Sequence, residues 1–154
     1  MSKFWNMDIN VRKATAADYS ALCALFAEID RLHCDHLPNI FQKPRGVARE
    51  YAYYSALIAD ETVALLVAEV SDTLVGFVHA VFREAPALPI FVPRRYVVVD
   101  GIVVKSGFQH QGIGSILMEH VQAWASVNGA TAIELNVYEF NDAAITFYER
   151  LGFQ

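Results

Sequence analysis

The run Tyr96-Val97-Val98-Val99-Asp100-Gly101-Ile102-Val103-Val104 leads through Lys105-Ser106-Gly107-Phe108 into Gln109-His110-Gln111-Gly112-Ile113-Gly114. Ser115-Ile116-Leu117-Met118-Glu119-His120-Val121-Gln122-Ala123-Trp124-Ala125 follows without a break. The first run is dense in β-branched residues and predicts a strand. Residues 105–108 turn the chain. Positions 113, 116, 117, 121 and 124 are apolar, a helical spacing that gives the next segment one buried face.

A strand that empties through a glycine loop onto a helix has a physical use. The first turn of a helix leaves N–H groups unpaired, and the aligned peptide dipoles favour negative charge there. Gly112 and Gly114 carry no Cβ, so phosphate oxygens could approach the backbone. An ordinary strand-to-helix turn, with glycine relieving crowding, explains the same spacing. The dinucleotide fingerprint is excluded because Leu117 stands where its third glycine belongs, and no Gly-Lys-Ser/Thr follows to make a Walker loop.

Outward from this centre, the chain of 154 residues suits one domain with a real core, residues 1–154. It is 55% apolar with 12 basic and 17 acidic residues, and the net charge of -5 argues against a nucleic-acid surface. The same charge suits a cationic small substrate. Cys23 and Cys34 have neither zinc spacing nor a disulfide framework, so a reducing, cytoplasmic setting is expected. Lys3 is not followed by a long apolar stretch, so no signal peptide is expected. No run approaches 18 apolar residues, which excludes a conventional membrane span.

Residues 1–7 read as a loose start, and Asp8 to Lys13 alternates like a strand. A helix begins at Thr15 or Asp18 and runs to about Leu32 or His33, with Leu22, Leu25, Phe26 and Ile29 on its apolar face. Asp35 to Arg45 is a loop, and Val47 to Ala59 a second helix. Thr62 to Val70 and Thr73 to Phe82 form a hairpin about Ser71-Asp72. Glu84 to Pro93 holds three prolines and reads as a loop. After the central helix, closed by Asn128-Gly129, come a strand from Thr131 to Tyr138 and a last helix from Asp142 to about Leu151, capped by Asn141.

Three features together resemble the GNAT superfamily of acetyl-coenzyme A-dependent N-acetyltransferases. Gln109, Gly112 and Gly114 meet its Gln/Arg-x-x-Gly-x-Gly/Ala pattern after a strand ending in Val103-Val104. Asn141-x-x-Ala144-x-x-Phe147-Tyr148-x-x-x-Gly152-Phe153 is similar to its Asn-x-x-Ala-x-x-Phe-Tyr-x-x-x-Gly-Phe ending. Val11-Arg12-Lys13-Ala14-Thr15 with Asp18 resembles its first strand and helix.

The resemblance implies a mixed α/β fold: a mostly antiparallel central sheet with splayed strands, flanked by helices. It implies acetyl-CoA as co-substrate, lying in a V-shaped gap between two parallel strands. Ile102, Val103 and Val104 would border the cofactor, with Val104 backbone groups pairing the pantetheine arm. Backbone N–H groups of Gln109, His110, Gln111, Gly112, Ile113 and Gly114 would hold the pyrophosphate. Ser115 would add a hydroxyl or simply start the helix, and Asn141 is a cap, a ligand neighbour or both. Tyr148 resembles the tyrosine that many members place near the thioester sulfur, where the departing thiolate benefits from a proton. A core tyrosine beside Phe147 is its bland alternative.

For the base, Asp100 is the first candidate, because a carboxylate interrupting an apolar strand is costly unless hydrated, paired or functional. Gly101 beside it fits a β-bulge, which would instead turn Asp100 to solvent. Glu139 and Glu28 are further candidates for holding a cationic amine. His79 interrupts another strand, has no identifiable partner in the sequence and reads as a satisfied sheet histidine. His33, Cys34 and His36 make a metal cluster on paper without a further ligand set, and no metal is expected.

Gln109 replaces the commoner arginine, which weakens long-range attraction for phosphate and leaves backbone binding intact. Family domains continue past Gly-Phe with one or two strands, so the C-terminal strands are expected to be absent and the domain truncated at Gln154. The exposed edge would then need a partner, such as the second copy of a homodimer. The expected function is acetyl transfer to a primary amine of a small molecule or protein by direct attack in a ternary complex. A non-catalytic acetyl-CoA-binding or assembly protein is the alternative. No nucleic acid or membrane partner is expected.

Overall fold

The computed structural model describes residues 8–154. The loose start expected over residues 1–7 lies outside them. Five strands order as β1 (Ile9–Lys13), β2 (Val63–Val70), β3 (Thr73–Glu84), β4 (Arg95–Val104) and β5 (Ala132–Leu135) across one sheet. The first three pairings are antiparallel, and β4 pairs β5 in parallel. Helices α1 (Tyr19–His36) and α2 (Tyr51–Ala59) join β1 to β2. Helix α3 (Ile113–Val127) carries the chain between the two parallel strands, and α4 (Asp142–Arg150) follows β5. This is the mixed, mostly antiparallel sheet that the resemblance implies.

Both faces of the sheet are covered, which explains the unbroken apolar run of β2. Ala64 and Leu66 pack with Val78, Val97 and Val99 against Ile113, Leu117 and Val121 of α3. Leu65, Val67, Phe77 and Val103 face the other way, onto Leu22, Leu25 and Phe26 of α1 and Tyr54 of α2. The β2–β3 turn is tight because Ser71 and Asp72 both take positive φ, 49° and 63°, a twist that suits a two-residue hairpin.

Arg12 on β1 ties that strand to the helical layer. Its guanidinium donates to both carboxylate oxygens of Asp18 at 2.8 and 3.0 Å and also reaches Glu69 on β2. Asp18, buried just before α1, accepts the Thr15 N–H at 2.7 Å. The Arg12 charge holds both carboxylates below their ordinary pKa range.

Several element ends differ from the sequence reading. Helix α1 continues to His36, because the Leu37 N–H still bonds the His33 carbonyl and Pro38 stops the chain only afterwards. Helix α2 starts at Tyr51 and not at Val47, since Arg49 leaves the helical path to pair with Asp30 at 2.8 Å. Strand β3 extends to Glu84, and the loop after it closes through the Ala85 N–H on the Arg94 carbonyl. Strand β5 is half the expected element, ending at Leu135 instead of Tyr138. Its pairing with β4 stops where β4 bulges.

Candidate active site

The bulge in β4 organises the site. His79 on β3 pairs with Gly101, the next residue, Ala80, pairs with Val99, and Asp100 is left unmatched between them. One extra residue switches the faces of the strand. Val97 and Val99 point to the α3 side before the bulge, whereas Ile102 and Val104 do so after it. Parallel pairing to β5 runs only from Tyr96–Ala132 to Val99–Leu135, so β4 and β5 separate at Asp100. The Lys105 N–H bonds the Val75 carbonyl at 2.7 Å. Antiparallel pairs alternate, so the main-chain groups of Ile102 and Val104 turn away from β3, toward the gap. There the Val104 carbonyl accepts a 3.3 Å hydrogen bond from Gln109 Nε2, an internal partner that the sequence reading did not foresee.

At the open end of the gap the chain turns through Gly107 and through His110 and Gly112, all of positive φ (92°, 64° and 85°). Gly112 directly precedes α3, and among the described residues no side chain caps that helix. The N-terminal N–H groups of Ile113, Gly114 and Ser115 are therefore left to the dipole end of the helix. The two glycines differ in their reason for being there. A Cβ on Gly112 would meet nothing within 4 Å, whereas one on Gly114 would lie 3.0 Å from Phe147 Cζ. Gly112 serves the turn and its open surface; Gly114 lets α4 pack against the first turn of α3.

Tyr148 on α4 is buried, its ring between Phe147 at 5.4 Å and Phe153 at 5.9 Å. Burial pushes its phenol up to about 12, so it keeps its proton at neutral pH. Asn141 Oδ1 accepts the Ala144 N–H at 3.2 Å, capping α4 as expected. Glu28 of α1 meets the turn after β4, its carboxylate 3.5 Å from the Ser106 N–H. Glu139 is exposed in the loop before α4.

The reading of His79 as a satisfied sheet histidine is corrected. Among the described residues its Nε2 is buried with no hydrogen-bond partner, and it lies 3.9 Å from Asp100 Oδ2. Burial lowers its pKa; Asp100 opposes the shift and Arg49 adds to it. Arg49 sits over the Phe26 ring at 4.3 Å, and Phe26 stacks edgewise on Phe77. No local spacing announces this group, because a bulge pairing and a loop arginine bring it together.

His33, Cys34 and His36 do not converge. His33 stacks on Phe41 at 5.0 Å and meets Tyr138 edge-on, while His36 stacks on Phe140 at 4.3 Å. These rings tie the end of α1 to the loop that leads into α4. Among the described residues, no three His, Cys, Asp or Glu side chains group as metal ligands, and no helix is long and apolar enough to cross a membrane.

The acetyltransferase (GNAT) family matches residues 26–153. An uncharacterised N-acetyltransferase of Methanocaldococcus jannaschii is 29% identical over 128 residues, which are 78% of this chain and only 55% of that protein. The L-amino acid N-acetyltransferase AaaT of Escherichia coli is 27% identical over 151 residues, 96% of this chain and 83% of that one. Among solved structures, a tetramutant of the BH1408 protein of Bacillus halodurans superposes with a TM-score of 0.89 at 25% identity, covering 94% of this chain and 93% of that one.

Proposed function

The chain belongs to the acetyltransferase (GNAT) family, and from that premise we propose that it transfers the acetyl group of acetyl-CoA directly to a primary amine within a ternary complex. One observation carries the reading: β4 leaves β5 at Asp100, immediately upstream of the uncapped, Gly112-opened N-terminus of α3. In this reading the two make a slot, with free strand edge at one end and a helix N-terminus suited to an anion at the other.

In this proposal Ile102, Val103 and Val104 form the wall along the pantetheine arm, and Val104 exchanges its Gln109 contact for it. N–H groups from Gln109 to Gly114 hold the pyrophosphate, with Ser115 beside them. Asn141 keeps α4 in place at the gap. Asp100 faces the incoming ammonium and draws off the proton that must leave before nitrogen can attack. Tyr148, still protonated near neutrality, donates to the departing sulfur. Residues 1–154 act as one domain in this account. The free thiols of Cys23 and Cys34 support a reducing, cytoplasmic setting.

L-amino acids head the list of acceptors, because the Escherichia coli relative is named for them. The test is calorimetric titration with acetyl-CoA, followed by CoA release against L-amino acids, polyamines and lysine peptides. One site per chain and amine-dependent release are expected. Binding without release for every amine would replace the reading with a non-catalytic acetyl-CoA-binding protein.

A further inference from the structure

His79 Nε2 is the buried side-chain nitrogen or oxygen that, among the described residues, is left without a hydrogen-bond partner. Such a group is costly in a core and calls for a reason. Its surroundings are specific. The β4 bulge sets Asp100 opposite it, 3.9 Å away and 42% exposed, while the imidazole is 18% exposed. A gap of 3.9 Å is too long for a hydrogen bond, so the pair is not locked as a structural clasp. A sheet that needed only an apolar filler on β3 would not leave a nitrogen aimed at the one carboxylate on the bulge.

We propose that His79 is a positioning residue for Asp100: it backs the carboxylate from inside the sheet and receives the proton that Asp100 takes from the acceptor ammonium. The proposal rests on the acetyl-transfer reading above. The step balances without any further reagent. An N–H bond of the ammonium breaks, its electron pair stays on nitrogen, and the proton passes to the Asp100 carboxylate and, once the 3.9 Å gap closes to hydrogen-bond distance in the loaded complex, on to His79 Nε2. The products are a free amine, a carboxylate and an imidazolium, the last two forming an ion pair across the bulge.

The charged groups around the imidazole fit that cycle. Asp100 on β4 stabilises the imidazolium, whereas Arg49, ahead of α2, opposes it. Arg49 is itself held by Asp30 of α1 at 2.8 and 3.2 Å, which tempers its charge. Burial keeps the resting ring neutral, the form able to take a proton.

The test reads His79 directly. Imidazole resonances of the isotope-labelled chain are titrated in wild type and in Asp100→Asn, whose exposed position makes it safe for folding. His79 should titrate below the ordinary value near 6.5 and fall further in Asp100→Asn. An unchanged His79 titration would overturn the pairing. In parallel, CoA release is followed against pH with the amine that wild type accepts. His79→Gln, which keeps the polarity and loses the proton site, should slow release about tenfold and lose the acidic inflection of the wild-type profile, with acetyl-CoA affinity unchanged. A wild-type rate and profile in His79→Gln would also overturn the proposal. Absence of release by wild type with every amine is the failure of the acetyl-transfer reading, and the resonance titration still decides the pair.

Discussion

Gly112 and Gly114 occupy one motif for different physical reasons, and substitution should separate them. Gly112→Val forces a β-branched residue into φ of 85° and puts bulk where the turn is open. It should lower acetyl-CoA affinity about tenfold, read by calorimetry on a chain that remains folded. Gly114→Ala drives a Cβ to 3.0 Å from Phe147, so its expected effect is a lower Tm, from roughly 1–3 kcal/mol of overpacking. Equal affinity for wild type and Gly112→Val would remove the phosphate assignment. Tyr148→Phe retains the ring packing and deletes the proton. It should leave cofactor affinity intact and slow transfer about 100-fold; an unchanged rate would return Tyr148 to the core.

At the scale of elements, the first strand and the helical layer are held by a charge cluster as well as by apolar contact. Asp18 is held below its ordinary pKa by Arg12. A carboxylate depressed in the folded state gives stability that is complete above its unfolded value near 3.9 and is lost as pH falls through its lower folded value. The Tm of wild type should therefore drop below about pH 4, and Asp18→Asn should be less stable at pH 7 and show a shallower acid decline. The expected cost at pH 7 is on the order of 2 kcal/mol, less than for a fully buried pair because Arg12 remains 34% exposed. Parallel Tm profiles of the two proteins between pH 7 and 3 would contradict this account.

Across the whole molecule, the proposed slot is built where separate layers meet: β4 and β5 diverge and α3 begins, while His36 stacked on Phe140 ties the end of α1 to the loop before α4. A ligand that bridges such parts stabilises the folded state by mass action. Acetyl-CoA at 100 times its Kd should contribute about 2.7 kcal/mol, and for a chain of this size that raises Tm by about 5–10 °C. A Tm indifferent to saturating acetyl-CoA would contradict binding at the slot.

The local signals were legible because neighbouring residues carry them. The β-branched run of β4, the glycines before α3, the Asn141 cap and the Ser71-Asp72 turn all depend on backbone preferences within a few positions. Those preferences, in their order along the chain, determined the mixed sheet and the place of the glycine loop. Tertiary structure alone decided that β5 stops at Leu135, that α2 waits until Tyr51, that Gly114 is small for the sake of Phe147, and that His79 faces Asp100. Each of these depends on which distant segment arrives alongside. One unmatched residue in the β3–β4 register shifts every later side chain to the other face, and a periodicity read from one strand alone does not show the partner across the bulge.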